Sequence, residues 1–365
     1  MTKGNPTVSF LTFDWAWGTD PLQPNGCAWY RCYLPMKQLE KFGWGTGIGF
    51  PGYNEEHSFG MLIPDDKAIH GWDITVFKLI MLKSIADKID EARERGQKIV
   101  VDIDDWFEGL EKTNLAYTMT DPERNPDNNR DHYMKIINSA DAIITSTPFL
   151  YDFYTNVKNM KNVYMVRNGI DIERWTLHKD HSGYLPTIGW VGATPWRSMD
   201  LETMDPFLGQ YMEKSRLKFH HAGNIINAKK AKNQLGLSNL IKSTYEPMKP
   251  IMKYPELFRK FDIGIVPLNN VEFNHAKSTI KGLEYAAAGI PFIASYSPEY
   301  ALLEQQGVGR VANNPQEWIG HLTELEDPKV RKEEVEKNYE NLKLGHSMDV
   351  RGEDWNKVMH EIRSL

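Results

Sequence analysis

Short apolar runs alternate along the chain with segments in which apolar residues repeat at helical spacing. TVSFLTF at 7–13 predicts a strand, and YRCYLPMKQLEKFG at 30–43 predicts a helix with Pro35 in its first turn. An amphipathic helix is predicted at 83–96, and KIVVDIDD at 98–105 predicts a strand that runs into acidic residues. This alternation is typical of parallel α/β layers.

A polar stretch, LHKDHSGYLP at 177–186, interrupts the alternation, which restarts after it. We therefore predict two α/β domains, residues 1–182 and residues 183–344, and a helix at 345–365 that packs back on the first domain. Doubly wound sheets bind ligands at the carboxyl ends of their strands, and two such domains facing each other place a cleft between them. The residues that directly follow strands are therefore the candidates for a functional site.

Composition excludes several classes of protein. The chain has 365 residues, enough for two domains, and its net charge of −6 argues against a nucleic-acid surface spread over the molecule. Its two cysteines, Cys27 and Cys32, lie in one stretch, which indicates neither a disulfide framework nor a zinc site. With no signal-peptide pattern and no run of about 18 apolar residues, we expect a cytoplasmic protein without a transmembrane segment.

One apparent motif is rejected on its context. GIGFPG at 47–52 matches G-x-G-x-x-G, but Pro51 and YNEEHSFG follow it where a dinucleotide fingerprint needs a helix. We therefore predict a loop there and not a dehydrogenase site. The histidines are scattered without an H-E-x-x-H or Cys/His cluster, so no catalytic zinc site is expected.

The stretch HAKSTIKGLEYAAAGIP, residues 275–291, combines a cationic opening with a small-residue helix and a Gly-Pro stop. A helix that starts at its serine or threonine would offer N–H groups and a favourable dipole to an anion, and its two lysines would add positive charge. The glutamate lies past the helix start, where a carboxylate can accept hydrogen bonds from a ribose diol. The alternative is a surface helix that happens to be capped and charged. The candidate donor-binding residues of this stretch are Lys277, Ser278, Thr279, Lys281 and Glu284.

The longer stretch FNHAKSTIKGLEYAAAGIPFIAS, residues 273–295, resembles the signature of retaining GT-B glycosyltransferases, the enzymes called group 1 or family 4. In that family the second glutamate of an E-x7-E motif binds the donor ribose, and Glu284 matches it. The first glutamate falls at Ala276, where this chain departs from the family pattern. The resemblance implies that Lys277 and Ser278 take over contacts to the phosphates or sugar of the donor.

Further segments carry the same resemblance. TIGWVGATPWRSMDLETM, residues 187–204, resembles the first strand and loop of the donor domain. There Gly192 would let the backbone approach the diphosphate, and Arg197 would reach it as a bidentate donor. The segment after STYEP, which ends at Pro247, commonly lines the nucleobase pocket in the family. For GWVGA alone, the alternative is a buried strand with a tight turn.

The first half of the chain resembles the family less specifically. NGCAWYR, residues 25–31, resembles the glycine-containing loop after the first strand, with Gly26 near the sugar phosphate. Arg31 could contact phosphate or acceptor, or be a structural arginine in an ion pair.

VVDIDDWFE, residues 100–108, allows two interpretations. Asp-x-Asp matches the metal motif of the other glycosyltransferase architecture, whereas GT-B enzymes normally need no metal to bind the donor. We favour carboxylates that orient the acceptor hydroxyl or the sugar, with a simple helix cap as the alternative. The residues concerned are Asp102, Asp104, Asp105 and, beside them on the acceptor side, Trp106.

Together the resemblances imply a GT-B architecture of two Rossmann-like domains facing across a cleft. The implied enzyme is a hexosyltransferase-type protein that uses a nucleoside diphosphate sugar and retains configuration. Arg197 and Lys277 would stabilise the departing diphosphate, Asp104 and Asp105 would act on the acceptor side, and no metal or other cofactor would be required. No general base is assigned, because in such enzymes the leaving phosphate itself can take the proton.

Two alternatives remain open at this point. One is a nucleotide-sugar epimerase or phosphorylase on the same fold, and the other is a non-catalytic protein that binds nucleotide sugars. The acceptor would be a glycan, a lipid or a protein. The compact form resembles glycosyltransferases encoded by bacteriophages and their actinobacterial hosts, which implies a virion protein as one candidate acceptor.

Overall fold

The computed structural model describes residues 5–16, 18–19, 21–62, 68–69, 71–112, 114–121, 123, 125–175, 185–194, 199–224, 233–238 and 240–365. These residues form two compact units. Unit 1 comprises Met1–Glu108, Ala116–Gly169 and Met348–Leu365, and unit 2 comprises Gly109–Leu115 and Ile170–Ser347. The predicted domain boundary at 182/183 lies outside the described residues.

The strands, in chain order, are β1 (Thr7–Thr12), β2 (Trp15–Ala16), β3 (Gln23–Pro24), β4 (Gly45–Asn54), β5 (Ser58–Leu62), β6 (Ala68–Ile69), β7 (Ile74–Lys78), β8 (Lys98–Ile103), β9 (Ala142–Thr145), β10 (Val163–Met165), β11 (Thr187–Ala193), β12 (Lys218–Asn224), β13 (Ser243–Pro247), β14 (Ile263–Val266), β15 (Phe292–Ser295) and β16 (Arg310–Ala312).

The α-helices are α1 (Gly26–Ala28), α2 (Leu34–Lys41), α3 (Lys83–Ala86), α4 (Ile89–Glu94), α5 (Asn129–Ser139), α6 (Pro148–Asp152), α7 (Phe207–Ser215), α8 (Glu272–His275), α9 (Ile280–Ala287), α10 (Pro298–Gln305), α11 (Pro315–Glu324), α12 (Pro328–His346) and α13 (Met348–Arg363). Stretches of π-helix lie at Trp29–Tyr33 and Phe153–Val157. Stretches of 3-10 helix lie at Phe107–Gly109, Leu115–Met119, Ile172–Arg174, Leu201–Met204 and Ile251–Phe258.

Unit 1 is built on a sheet with the strand order β10-β9-β8-β7-β1-β4-β5-β6. The strands from β10 to β4 pair in parallel, while β5 and β6 continue the sheet antiparallel. The central strands are apolar along most of their length because parallel strands are covered on both faces. The last helix, α13, belongs to this unit, where Trp355 packs edge-on against Phe10 at a centroid distance of 6.0 Å.

Unit 2 has a parallel sheet with the order β13-β12-β11-β14-β15-β16. Helix α9 connects β14 to β15 and packs closely on the sheet. At two points of the contact a glycine on one side faces an aromatic ring on the other. A Cβ at Gly264 would meet the Tyr285 ring at 2.5 Å, and one at Gly282 would meet Phe292 at 2.7 Å. The helix ends as the sequence predicts, with Gly289 at φ +70° followed by Pro291.

The first helical region differs from its prediction. It begins at Gly26 and runs through the π-helix to Lys41, so Pro35 lies in its interior and not in its first turn. Proline has no N–H, so it cannot donate to the carbonyl of Arg31 four residues earlier. The preceding turn instead uses the wider π spacing, in which the Leu34 N–H bonds to the Trp29 carbonyl.

The loop predicted at 47–52 is wrong, because these residues lie inside β4 and pair with β5. The glycines there serve packing. A Cβ at Gly47 would meet the Met61 sulfur at 2.5 Å, and one at Gly49 would meet the Met61 Cβ at 3.0 Å. An alternating glycine pattern can therefore mark a strand under close cover as well as a loop.

Candidate functional site

Two glycines lie side by side at the carboxyl edge of the unit 2 sheet. Gly192 near the end of β11 pairs with Gly223 of β12, which in turn pairs with Pro247 at the end of β13. Gly223 has φ +118°, and a Cβ there would lie 2.1 Å from the Gly192 carbonyl oxygen. At Gly192 a Cβ would meet the Trp190 ring at 2.8 Å, so neither position accepts a side chain. At these two positions the backbone therefore carries no side chains, and they lie at the edge where doubly wound sheets bind ligands.

The first turn of α9 opens at the same edge, because α9 is the crossover that follows β14. Thr279 is the N-cap residue, although its side chain makes no capping hydrogen bond. The Gly282 N–H donates to the Tyr300 hydroxyl at 3.3 Å. The helix that the sequence predicts to start near Ser278 or Thr279 therefore starts at Ile280, with Thr279 as its N-cap residue.

Glu284, which is 3% exposed, forms a closed triangle of hydrogen bonds with two other side chains. Its Oε2 atom accepts from the Tyr254 hydroxyl at 3.0 Å and from Lys281 Nζ at 2.7 Å. Lys281 Nζ also donates to the Tyr254 oxygen at 2.7 Å. Lys281 therefore forms an ion pair with a carboxylate of its own helix. The predicted contact of Lys281 with a phosphate would compete with this ion pair.

Lys277 is placed differently from Lys281. Its Nζ lies 4.7 Å from the centroid of the Phe273 ring, and among the described residues no carboxylate lies within ion-pair distance of it. Ala276, at the position of the first family glutamate, is only 1% exposed. That position is part of the packed interior of unit 2, whereas the neighbouring lysine is half-buried with its charge available. Ser278 is half-buried beside it.

A buried aspartate fixes the segment that leads into this helix. Asp200 Oδ1 accepts from the Asn269 N–H at 2.9 Å and from Asn274 Nδ2 at 2.7 Å. Asn274 Nδ2 also donates to the Asn269 carbonyl at 2.8 Å. These contacts tie the loop after β14 and helix α8 to the segment that follows β11. The predicted ligand Arg197 lies in that segment but outside the described residues.

In unit 1, Arg31 and Asp102 form a fully buried ion pair. Arg31 Nη2 lies 2.6 Å from Asp102 Oδ2, and its Nε contacts both carboxylate oxygens at 3.1 Å. Arg31 Nη1 donates to the Val166 carbonyl at 2.7 Å and to Asn168 at 3.1 Å. Neither Arg31 nor Asp102 presents side-chain surface to a ligand, so burial favours the structural alternative for Arg31.

Lys78 links this pair to the acids that follow β8. It faces Asp102 across the β7–β8 register, with Nζ at 3.5 Å from Asp102 Oδ1, and it also forms an ion pair with Asp104. Burial raises the pKa of Asp104, but the charge and hydrogen bond of Lys78 outweigh burial and hold that pKa below its usual value. Burial lowers the pKa of Lys78, and the two carboxylates raise it by more. Each carboxylate of the Asp-x-Asp motif is thus paired with a cation of the protein.

The remaining predicted residues of unit 1 lie around the same sheet edge. Gly26 is exposed and has open space where a Cβ would stand, and the helix it opens is held by Asp14, whose Oδ2 accepts from the Ala28 N–H at 2.9 Å. Burial raises the pKa of Asp14. The Trp106 ring packs edge-on against Phe149 and Phe153 at 5.0 and 5.3 Å, and its buried Nε1–H has no hydrogen-bond partner among the residues that the structure describes.

Asp105 is half-buried directly after Asp104. Several contributors to these sites were missed by sequence reasoning. Gly223 carried a signal, a glycine at the end of an apolar strand. For the others the sequence did not indicate the contact, because each meets its partner only through the tertiary fold: Lys78, Asp200, Tyr254 and Asn274.

The parallel sheet of unit 2 and the mostly parallel sheet of unit 1 define the class of fold. The chain has the GT-B fold of glycosyltransferases, as the sequence predicts. No family model and no curated protein matches the sequence. No helix in the part of the chain that the structure describes is long and apolar enough to cross a membrane.

Solved structures supply the comparison. Sucrose-phosphate synthase from Thermosynechococcus elongatus superposes with a TM-score of 0.64 at 9% identity, over 99% of this chain and 100% of that one. HepE from Anabaena, in complex with UDP and glucose, gives 0.63 at 13% identity, over 99% of this chain and 100% of that one. A glycosyltransferase from Rickettsia africae gives 0.64 at 12% identity, over 98% of each chain. At these identities the likeness shows the fold.

Proposed function

We propose that this chain is a glycosyltransferase that moves a sugar from a nucleoside diphosphate sugar to an acceptor hydroxyl. The observation that carries the proposal is the carboxyl edge of the unit 2 sheet, where the paired glycines Gly192 and Gly223 and the first turn of α9 lie with the buried Glu284. The UDP and glucose in the HepE complex support a nucleoside diphosphate as the ligand of this edge.

Each part of the site suits one part of such a donor. A diphosphate is stabilised by backbone N–H groups at a helix start and by a nearby cation, which here is Lys277. The proposal keeps Arg197, Ser278 and Thr279 as further donors to the phosphates, and Pro247 at the nucleobase. The Glu284 carboxylate can accept hydrogen bonds from ribose hydroxyls. Lys281 neutralises the Glu284 carboxylate, so this carboxylate does not repel the nearby diphosphate.

In the proposed reaction, the bond between the anomeric carbon and the diphosphate oxygen breaks with its electrons leaving on the diphosphate. The acceptor hydroxyl forms the new glycosidic bond with retention, and the leaving phosphate takes the proton. Stabilisation of the developing charge by Lys277, Arg197 and the α9 start would be the largest contribution to catalysis. Asp104, Asp105 and Trp106 would orient the acceptor, with Arg31 and Asp102 supporting them from the interior.

The finer features remain part of the proposal: a family 4-like hexosyltransferase that needs no metal and is cytoplasmic. Its acceptor would be a glycan, lipid or protein, with a virion protein as the choice if the chain is bacteriophage-encoded. The lysine and arginine set with a helix end supplies the positive charge that a divalent ion would otherwise bring to the diphosphate.

A thermal-shift screen tests the donor site. UDP, GDP, ADP, CDP and dTDP, each with and without its sugar, would be compared on wild type, Glu284→Gln and Glu334→Gln. Glu334 is a matched control, because it is also a buried glutamate of unit 2 and pairs with Arg310 at 3.3 Å. We expect one nucleotide to raise the melting temperature of wild type and the control by mass action, and to lose most of that shift in Glu284→Gln.

If no nucleotide shifts the wild type, the donor site is wrong and the proposal fails with it. If a nucleotide sugar binds, incubation with acceptor panels decides the reaction. Product that requires an acceptor hydroxyl supports transfer, whereas turnover with phosphate, or of the donor alone to an isomer, identifies a phosphorylase or an epimerase. Binding with no turnover under any of these conditions identifies a non-catalytic binding protein.

A further inference from the structure

We infer that Tyr254 is a positioning residue for Glu284, and that its hydroxyl makes the site select ribonucleoside over 2′-deoxyribonucleoside diphosphates. This inference rests on the proposed function, since it requires a nucleotide at the unit 2 edge. It assigns a role to a residue that lies thirty positions before Glu284 in the chain and outside the stretch 275–291.

The first step of the argument is the position of the Tyr254 ring. It is 7% exposed and packs edge-on against Trp175 at 6.2 Å and against Phe258 at 5.5 Å. Two aromatic neighbours leave the ring little rotational freedom, so the hydroxyl is held at one place. That place is within 3.0 Å of Glu284 Oε2.

The second step is what the hydroxyl does there. It donates to Glu284 Oε2 while it accepts from Lys281 Nζ, and Lys281 donates to the same Oε2 atom. A glutamate side chain has three rotatable bonds, and two donors on one oxygen fix them before any ligand arrives. A fixed acceptor keeps its full hydrogen-bond strength on binding, because no ordering cost is incurred at that moment.

The third step concerns selectivity. A ribose presents two adjacent hydroxyls as donors, and a 2′-deoxyribose presents one fewer. A carboxylate has acceptor positions for more than two donors, so the Glu284 carboxylate can still receive ribose hydroxyls. A buried polar site built to bond a hydroxyl discriminates strongly against the analogue that lacks it, provided the site cannot rearrange. Tyr254 lies outside helix α9, and its hydrogen bond keeps the Glu284 carboxylate from rearranging.

The experiment compares UDP with 2′-deoxy-UDP on three full-length proteins, by calorimetry and thermal shift. The test variant is Tyr254→Phe. The control is Tyr285→Phe, because Tyr285 is also a fully buried tyrosine, is next to Glu284 in the chain, and donates its hydroxyl to the Gly189 and Ile265 carbonyls. If another base gives the larger shift on wild type, its ribo and 2′-deoxy diphosphates replace the uridine pair.

We expect wild type to bind UDP about 10- to 100-fold tighter than 2′-deoxy-UDP, as for one charge-assisted hydrogen bond. In Tyr254→Phe this ratio should fall to about 3-fold or less, mostly through weaker UDP binding. Tyr285→Phe should keep the wild-type ratio even if its melting temperature falls. Lys281→Met, which removes the second donor to Oε2, should also lower the ratio and serves as the test if Tyr254→Phe does not fold.

A wild-type ratio in folded Tyr254→Phe, or in Lys281→Met if Tyr254→Phe does not fold, would overturn the inference while leaving the proposed function standing. An equal loss of ratio in Tyr254→Phe and Tyr285→Phe would also overturn it, because the effect would then come from general loosening of the core. Absence of nucleotide binding by the wild type would instead overturn the proposed function itself.

Discussion

At the residue scale, the ionisable groups of both units are organised as ion pairs of unequal burial. Lys78, whose side chain is 3% exposed, contacts two carboxylates, while Lys83 on the surface contacts Asp87 with its own side chain 70% exposed. Removing one partner of a buried pair leaves an uncompensated charge and typically costs about 3–5 kcal/mol. Exposed pairs contribute about 0–1 kcal/mol.

Lys78→Met should therefore lower the free energy of unfolding of unit 1 by about 3–5 kcal/mol at pH 7. Lys78 holds the pKa of Asp104 low, so its contribution is present above the unfolded pKa of Asp104 and is lost as the pH falls through the lower, folded pKa. Without Lys78, burial raises that pKa, and the variant can relieve the penalty by taking up a proton. The difference between variant and wild type should thus shrink as the pH falls towards 4.

Urea unfolding followed at pH 7 and at mildly acidic pH would measure both differences. Lys83→Met, the exposed control, should change stability by less than about 1 kcal/mol at either pH. An effect of Lys78→Met that stays constant with pH would show that packing of the lysine stem, and not its charge on Asp104, is what matters.

The sequence singled out Asp102 near the end of β8 and Arg31 in the first helix, but it did not indicate that they meet. Lys78 lies 24 positions before Asp102, and the two are brought together only by the parallel register of β7 and β8. That register is decided by which strands become neighbours, and no local pattern specifies it. The pairing of Tyr254 with Glu284 was invisible for the same reason, whereas Lys281 and Glu284 share one helix turn and lie within the stretch the sequence singled out.

At the element scale, α9 depends on small residues as much as on its charged ones. A Cβ at Gly282 would meet the Phe292 ring at 2.7 Å and the Tyr300 ring at 2.9 Å, both of them buried. Sequence patterns predicted this helix and its end because small apolar residues and a Gly-Pro stop are local signals. They predicted a loop at 47–52 wrongly, since the same residue type there lies under Met61 in a strand.

Gly282→Ala should destabilise unit 2 by about 1–3 kcal/mol, since overpacking outweighs the gain in helix propensity. Gly320→Ala in α11 is the matched control, because nothing lies within 4 Å of its added Cβ and propensity alone should stabilise by about 0.5–1 kcal/mol. Thermal unfolding of the two variants should therefore move in opposite directions. The same sign in both would contradict the packing described for α9.

At the scale of the whole molecule, the chain forms two compact units, each with one large sheet. The sequence predicted two α/β domains, because a polar stretch interrupts the alternating pattern. The sequence analysis placed a helix at 345–365 with the first domain, and Met348–Leu365 belongs to unit 1, but nothing in the sequence indicated that Gly109–Leu115 belongs to unit 2. Membership of these segments is decided by long-range packing, such as Trp355 against Phe10.

Hydrogen exchange should assign the nucleotide to one unit. With the best nucleoside diphosphate from the screen bound, we expect amides near Gly192, Gly223 and 276–284 to exchange more slowly. The core strands β1, β7 and β8 of unit 1 should exchange as they do in the free protein. Slower exchange confined to unit 1 would show that the nucleotide binds unit 1, and would contradict the proposed donor site in unit 2.

The position of α13 at the end of the chain also affects the order in which the two units can fold during synthesis. Trp44 Nε1 donates to Asn356 at 2.9 Å, Gln38 donates to Asp349 at 3.0 Å, and Trp355 lies over the Arg31 guanidinium at 5.0 Å. On the ribosome, unit 1 must therefore wait for this helix while all of 170–347 is synthesised, roughly ten to forty seconds at typical rates. Until then the residues of unit 1 that are made first lack all three contacts to α13.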